Sequence, residues 1–320
     1  MDQSTDFWKN RSVAVTGGAG FLGSAVVRLL EERGANARVI RSAEHDLRDP
    51  AAALEAIAGA EIVINLAARV GGIGYNRRNP APLLRDNLLL AVNVFDAARE
   101  HGVKKLVTAG SVCAYPKFTP VPFSEDEIWN GYPEESNAPY GVAKRAAQEL
   151  ADTYRRQYGL DAVVPVLANL YGPEDNFDLE DSHVVPAMIR KFAEAAERDD
   201  ESVPIWGTGS ASREFLYVDD GARALLLAAE RLETSAPVNI GTGRETKIRE
   251  LAEAIRELTG FEGEIAWDPS KPDGQPERSL DVSRARELIG FEAETALEDG
   301  LRTTVEWFKA QAPDLSASET

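Results

Sequence analysis

The sequence predicts an α/β protein: a Rossmann-like doubly wound parallel sheet with a smaller C-terminal lobe for substrate. Three observations lead there. Between Arg11 and about Leu170 short β-rich runs alternate with helical stretches, a glycine-rich turn follows the first of those runs, and the regular alternation loosens after NLYGP (169–173). Strands separated by helices of this length build a parallel sheet covered on both faces.

Taken in order, SVAVTG (12–17) reads as the first strand and GFLGSAVVRLLEERG (20–34) as an amphipathic helix that stops at Gly34. ARVIR (37–41) and EIVINLAA (61–68) are the next two strands. NLLLAVNVFDAAREHG (87–102) is a helix closed by Gly102, and KLVTAG (105–110) and AVVPVL (162–167) continue the sheet. Beyond lie the turn-rich EDNFDLEDSH (174–183), a helix from about Val185 to Arg198, the stretch PIWGTGSASREF (204–215) and a return to helix at VDDGARALLLAAERL (218–232). From NIGTG (239–243) onward come a helix KIRELAEAIRELTG (247–260), a loop DPSKPDGQPERSLD (268–281) and two short helical stretches. The expected division is a cofactor domain of residues 11–171 plus about 214–243, a lobe of about 172–213 plus 244–312, and a frayed tail at 313–320.

With 320 residues, 43% of them hydrophobic, the chain can bury a full core. Its 53 acidic against 35 basic residues give a formal charge of −18, which disfavours nucleic acid and anionic membrane as partners. An anionic substrate would need locally placed Arg and Lys. Cys113 is the single cysteine, so no internal disulfide forms and a reducing compartment, the cytoplasm, is expected. The N-terminal MDQSTDFWKN shows no leader pattern, and no apolar run approaches membrane-spanning length.

TGGAGFLG places Gly17, Gly20 and Gly23 between a strand and a helix. Glycine permits the tight turn and a close backbone approach to a pyrophosphate, while the helix start, at Phe21 and Leu22, offers N–H donors. That is a dinucleotide site. At the tip of the second strand, where an NAD site wants an acid for the ribose 2′-OH, the chain has Arg41, which suits the 2′-phosphate of NADP. Asp46 and Leu47 are expected near adenine, and Ala67, just past the third strand, beside the cofactor.

PYGVAKRAAQEL carries Tyr140 and Lys144, four residues apart on one helical face. An ammonium so placed is expected to lower the phenol pKa, and the phenol then exchanges a proton with a carbonyl or alcohol while hydride moves at the nicotinamide. Ser111, at the end of a strand, would bond the same oxygen. Two residues on, extended backbone would turn Cys113 to the same face as Ser111. From the residues alone, Cys113 is either small core filler or an acid/base thiol. No metal site is expected.

Glycine loop, serine, Tyr-x-x-x-Lys and NLYGP together resemble the extended short-chain dehydrogenase/reductase family acting on nucleotide sugars. More narrowly, NLAARVGGIGYNRRNP, GSVCAYPK, NAPYGVAK, PEDNFDLEDSHVVPAMIRKF, WGTGSASREFLYVDD and SKPDGQPERSLDVSRARELIGF are similar to its GDP-L-fucose synthase branch, from about Arg11 to Lys309. The resemblance implies NADP as cofactor and a 4-keto GDP-sugar as substrate. Cys113 and His183 would be the acid/base pair for epimerisation, with His183 also beside the cofactor. Arg190, Lys191, Arg213 and Arg278 would hold the substrate diphosphate, with Lys191 where the family tends to carry a second arginine; beside them, Trp206 either flanks the base or sugar or packs the lobe, and Asn169 either orients substrate or caps a turn. It further implies a homodimer built from the helices in 81–102 and 141–159. Rivals are a redox-neutral GDP-mannose 3,5-epimerase, against which Arg41 and the histidine loop count, an enzyme for another GDP-deoxysugar, and an NADP-sensing regulator, which would not need Ser111, Tyr140 and Lys144. The Thr-Asp-Glu run of sugar 4,6-dehydratases is absent from the serine region.

Overall fold

Short runs rich in Val, Ile and Ala, buried on both faces except along the edge, form the central sheet of this computed structural model, which describes residues 7–179, 181–271 and 274–315. The first half supplies β1 (Ser12–Thr16), β2 (Asn36–Ile40), β3 (Ile62–Asn65), β4 (Lys105–Thr108), β5 (Gly110–Ser111), β6 (Ala162–Val163) and β7 (Pro165–Leu167). Then come β8 (Asn169–Tyr171), β9 (Ser202–Trp206), β10 (Ser212–Arg213), β11 (Phe215–Tyr217), β12 (Val238–Ile240), β13 (Thr246–Lys247) and β14 (Glu264–Asp268). The order β2-β1-β3-β4-β6 is parallel throughout, and β12-β7-β5 is a second parallel set. One residue, Ala109, divides β4 from β5 and one, Val164, divides β6 from β7, so the two sets are successive stretches of one sheet.

The helices are α1 (Phe21–Glu32), α2 (Pro50–Ile57), α3 (Ile73–Arg78), α4 (Pro80–Glu100), α5 (Ala138–Tyr158), α6 (Val184–Glu197), α7 (Val218–Arg231), α8 (Ile248–Thr259), α9 (Ser283–Ile289) and α10 (Leu297–Leu315). Alternation along β1 sorts them into layers. Val13 and Val15 join Val26 and Leu30 of α1 and Leu225 of α7, whereas Ala14 joins Ile57 of α2, Phe95 of α4 and Ala151 of α5. A third apolar cluster, with Phe192, Ile205, Ile255 and Phe308, lies under β9, β14, α6, α8 and α10.

Two helices, α2 and α3, were not expected. Asp49 caps α2 by accepting from the Ala51 N–H at 2.8 Å, ahead of Pro50 in the first turn. At the other end, α10 runs to Leu315, into the expected tail, and buries Leu301, Val305 and Phe308 along one stripe. The rest of that tail, 316–320, lies outside the described residues. No helix among them is long and apolar enough to cross a membrane.

Candidate active site

Parallel register sets Thr16 opposite Ile40, so Gly17 and Arg41 leave the sheet side by side. Gly17 has φ of 67°, a left-handed conformation, and a Cβ on Gly23 would stand 2.1 Å from the Gly17 carbonyl oxygen. Gly20 is the N-cap of α1 and brings no side-chain bond to it, so the helix leaves the first-turn N–H groups at Phe21 and Leu22 without intrahelical acceptors. The side chains of Phe21 and Leu22 themselves pack against the core. Ala67 closes the other wall, its N–H donating to Thr16 Oγ1 at 3.2 Å.

At the adenosine end the expectations divide. Arg41 is exposed, and its carbonyl accepts from the Glu44 and His45 N–H groups in a tight turn. Asp46 is engaged by Arg48 at 2.6 Å, and those hydrogen bonds hold its carboxyl at about 2. Leu47 corrects its assignment: the side chain is buried in the core with Ile57 and Phe95, and Asn93 donates to its carbonyl, so only backbone could face a cofactor.

Ser111, Cys113, Tyr140 and Lys144 come together where β5 ends against α5. The expected route to Cys113 is overturned. Val112–Ala114 is a 3-10 turn, not extended chain, and the Cys113 N–H donates to Ser111 Oγ at 3.2 Å as its cap. Capping, not strand alternation, sets the two side by side. The half-buried Cys113 lies within electrostatic reach of both Tyr140 and Lys144.

Lys144 Nζ donates to the Ala109 carbonyl at 2.7 Å, the oxygen freed where β4 breaks from β5, and stands 5.4 Å from the Tyr140 ring centre. Burial brings the lysine down to about 8. The expected lowering of the phenol is not found. Burial pushes Tyr140 above its ordinary value, a thiolate at Cys113 would push it further, and only a hydrogen bond with Ser111 acts the other way. At neutral pH the phenol is therefore protonated, the form that gives a proton.

His183 is the N-cap residue of α6 but does not cap it with its ring. Its imidazole keeps an open solvent face while protein crowds the other side, and that desolvation lowers its pKa and favours the neutral ring. The histidine loop is tied to α5 through α3. Asn76 donates to Asn137, the N-cap residue of α5, at 2.7 Å, while Arg78 pairs with Asp181 and the Gly72 N–H donates to the Asp181 carbonyl, both at 2.7 Å.

The substrate candidates lie in the second half of the chain. Arg213 donates to the Gln275 carbonyl at 2.5 Å and Arg278 to Gln275 Oε1 at 3.0 Å, so one glutamine draws the two guanidinium groups together. Beside them is a cavity of about 340 Å³ lined by Ser210, Ala211, Gly274, Pro276 and Glu277. Asn169 donates to the Glu214 carbonyl at 2.9 Å. On α6, Arg190 pairs with Glu194 at 2.6 Å, and Lys191, its pKa lowered by burial, reaches the Pro204 carbonyl at 3.3 Å. Trp206 is 63% exposed with Lys271 5.6 Å from its ring centre.

Residues that the motifs did not single out hold this arrangement. Glu214, only 1% exposed, accepts from the Gly243 and Leu280 N–H groups at 2.8 and 2.7 Å and so joins the two loops around Arg213. Nothing local in the sequence marks it, because both of its partners lie well down the chain.

Residues 13–241 match the NAD dependent epimerase/dehydratase family. The chain belongs to that family. It is 44% identical over 304 residues to GDP-L-fucose synthase 1 of Arabidopsis thaliana, covering 94% of each chain. Among solved structures it is similar to a GDP-6-OMe-4-keto-L-xylo-heptose reductase from C.jejuni, with a TM-score of 0.89, 29% identity and coverage of 94% and 98% of the two chains. It is also similar to a GDP-L-fucose synthetase from Naegleria fowleri bound to NADP, at 0.87, 27%, and 95% and 96%.

Proposed function

We propose that this protein converts GDP-4-keto-6-deoxy-D-mannose to GDP-L-fucose by epimerising C3 and C5 and reducing C4 with NADPH. The observation that carries the reading is the thiol of Cys113 set among Ser111, Tyr140 and Lys144. A reductase alone needs the last three; a proton-transferring thiol beside them suits inversion at carbons next to a ketone. The 44% identity to a GDP-L-fucose synthase supports the substrate.

NADPH, when bound, supplies the hydride. The turn at Gly17, Gly20 and Gly23 and the start of α1 would hold its diphosphate, Arg41 its 2′-phosphate, Asp46 and the backbone at Leu47 its adenine, with Ala67, Lys144 and His183 along the rest. Arg213, Arg278, Arg190 and Lys191 would meet the substrate diphosphate, and Asn169 and Trp206 the sugar and base.

Cys113 and His183 take a proton from one face of the carbon beside the ketone and return one to the other, at C3 and at C5. The lowered pKa of His183 keeps its ring neutral and able to accept. Tyr140 then gives its proton to the C4 oxygen, which Ser111 holds by a hydrogen bond.

The sugar lobe would comprise about 172–213 and 244–312, its apolar cluster also taking in Tyr171 and Phe215 from the cofactor half, 11–171 with about 214–243. Exposed Leu89 and Val92 on α4 and Tyr158 on α5 support a homodimer through those helices, and the single cysteine suits the cytoplasm. Sedimentation checks the dimer. The function is tested by following NADPH oxidation with GDP-4-keto-6-deoxy-D-mannose and identifying the product by NMR, in the parent and in Cys113→Ser. GDP-L-fucose from the parent and loss of C3 and C5 inversion in the variant are expected; no NADPH oxidation would sink the reading.

A further inference from the structure

Arg145 follows Lys144 on α5 and is 8% exposed. Its Nε donates to the Ala114 carbonyl at 2.5 Å and its Nη1 to the Gly131 carbonyl at 2.7 Å, with the guanidinium carbon 5.8 Å from the Trp129 ring centre. Ala114 is the last residue of the 3-10 turn that carries Cys113. Gly131 lies in the segment that leads from that turn back to the start of α5. The same face of α5 approaches the turn one helical turn earlier, at Gly141, where a Cβ would stand 2.3 Å from the Cys113 carbonyl oxygen. Gly141 allows the contact and Arg145 grips it.

Burying a guanidinium is costly, and here Nη2 is sealed from solvent with no hydrogen-bond partner. Such a group is a poor source of stability. What a planar fork with two main-chain acceptors does supply is a fixed position for both of them.

We infer that Arg145 is a positioning residue that holds the Cys113 turn at a set distance from Tyr140 and Lys144, so that proton transfer at carbon and proton delivery to oxygen act on one bound sugar. The inference rests on the function proposed above. It makes epimerisation, and not hydride transfer, the step that depends on Arg145, because Tyr140 and Lys144 keep their own anchors on α5 and Ala109.

The test uses the full chain as Arg145→Met and Arg145→Lys. Deuterium wash-in at C3 and C5 of GDP-4-keto-6-deoxy-D-mannose, in heavy water without NADPH, reads the first step; NADPH oxidation with product NMR reads the second. Wash-in should fall on the order of 100-fold in Arg145→Met and by a smaller factor in Arg145→Lys, since a small misplacement of a reacting group has that effect. NADPH affinity should stay within about twofold, and NADPH oxidation should continue, releasing sugar reduced at C4 but not inverted at C3 or C5. Equal falls in wash-in and NADPH oxidation would mean a purely structural role and overturn the inference, as would parental wash-in in Arg145→Lys, which alone decides if Arg145→Met does not fold. Absence of wash-in in the parent overturns the proposed function itself, a result that no Arg145 variant can mimic.

Discussion

Gly141 stands so near Cys113 that any side chain there would meet the Cys113 carbonyl oxygen at 2.3 Å and Pro133 at 3.1 Å. Gly141→Ala must therefore push the 3-10 turn off α5. Overpacking of this kind costs about 1–3 kcal/mol. A lowered melting temperature and a loss of C3/C5 deuterium wash-in larger than the loss of NADPH oxidation are expected; an unchanged melting temperature and wash-in would show that the turn yields freely.

Tyr140→Phe should lower NADPH oxidation by about 10²–10⁴-fold, the usual worth of a placed general acid, with NADPH affinity unchanged. Lys144→Met should weaken NADPH binding as well. Titration of NADPH by fluorescence separates the two, and equal affinities in both variants would argue against a contact between Lys144 and the cofactor.

The pH profile follows from the two perturbed groups. His183 lies below its ordinary 6.5, so the neutral base persists into mildly acidic solution and wash-in should fall only at lower pH. Lys144 is brought down to about 8, so its ammonium is lost above that point and reduction should decline there. A rate profile of each step tests this, and an acid limb of wash-in that survives in His183→Gln would remove the histidine from the mechanism.

Asp175 gives a stability prediction. Burial raises its carboxyl to about 7, and Oδ2 is sealed without a hydrogen-bond partner. The folded chain binds a proton that the unfolded chain releases between its ordinary 3.8 and about 7, so stability falls as pH rises through that window. Asp175→Asn should raise the melting temperature at pH above about 7 and change it little in strong acid. A gain of the same size at both ends would show that the charge is not the cause.

Arg41→Ala should weaken NADPH by about 10–100-fold and leave NADH nearly unaffected, in line with a charged hydrogen bond of about 1.5–3 kcal/mol. Calorimetric titration with both cofactors measures it. Equal weakening of the two would place Arg41 away from the 2′-phosphate.

What could be read in the sequence was local. The spacing of Gly17, Gly20 and Gly23 and of Tyr140 and Lys144 lies within one or two turns of chain, where geometry follows from spacing. Cys113 was misread as extended because nothing in AGSVCAYPK marks a 3-10 turn. Its shape is set from outside by Gly141 and Arg145, which lie 28 and 32 residues onward. The Asp49-Pro50 start of α2 carried a legible signal in a short alanine-rich stretch. The glycines and asparagine around α3 read as loop, and its docking on Asp181 draws on a residue more than 100 positions away. Glu214 takes its meaning from partners distant in the chain, and Gln275 from Lys117 and Arg213 as well as its near neighbour Arg278.

Three anchors of this site share one chemical character. Lys144 rests on the carbonyl of Ala109, Arg145 on those of Ala114 and Gly131, and the histidine loop on the N–H of Gly72. All are main-chain atoms, which every amino acid except proline provides in full. Ala109 and Ala114 are buried and so held to small side chains by packing, but the anchors read the path of the main chain there and not the side-chain chemistry, whereas at position 145 the side chain itself makes both contacts.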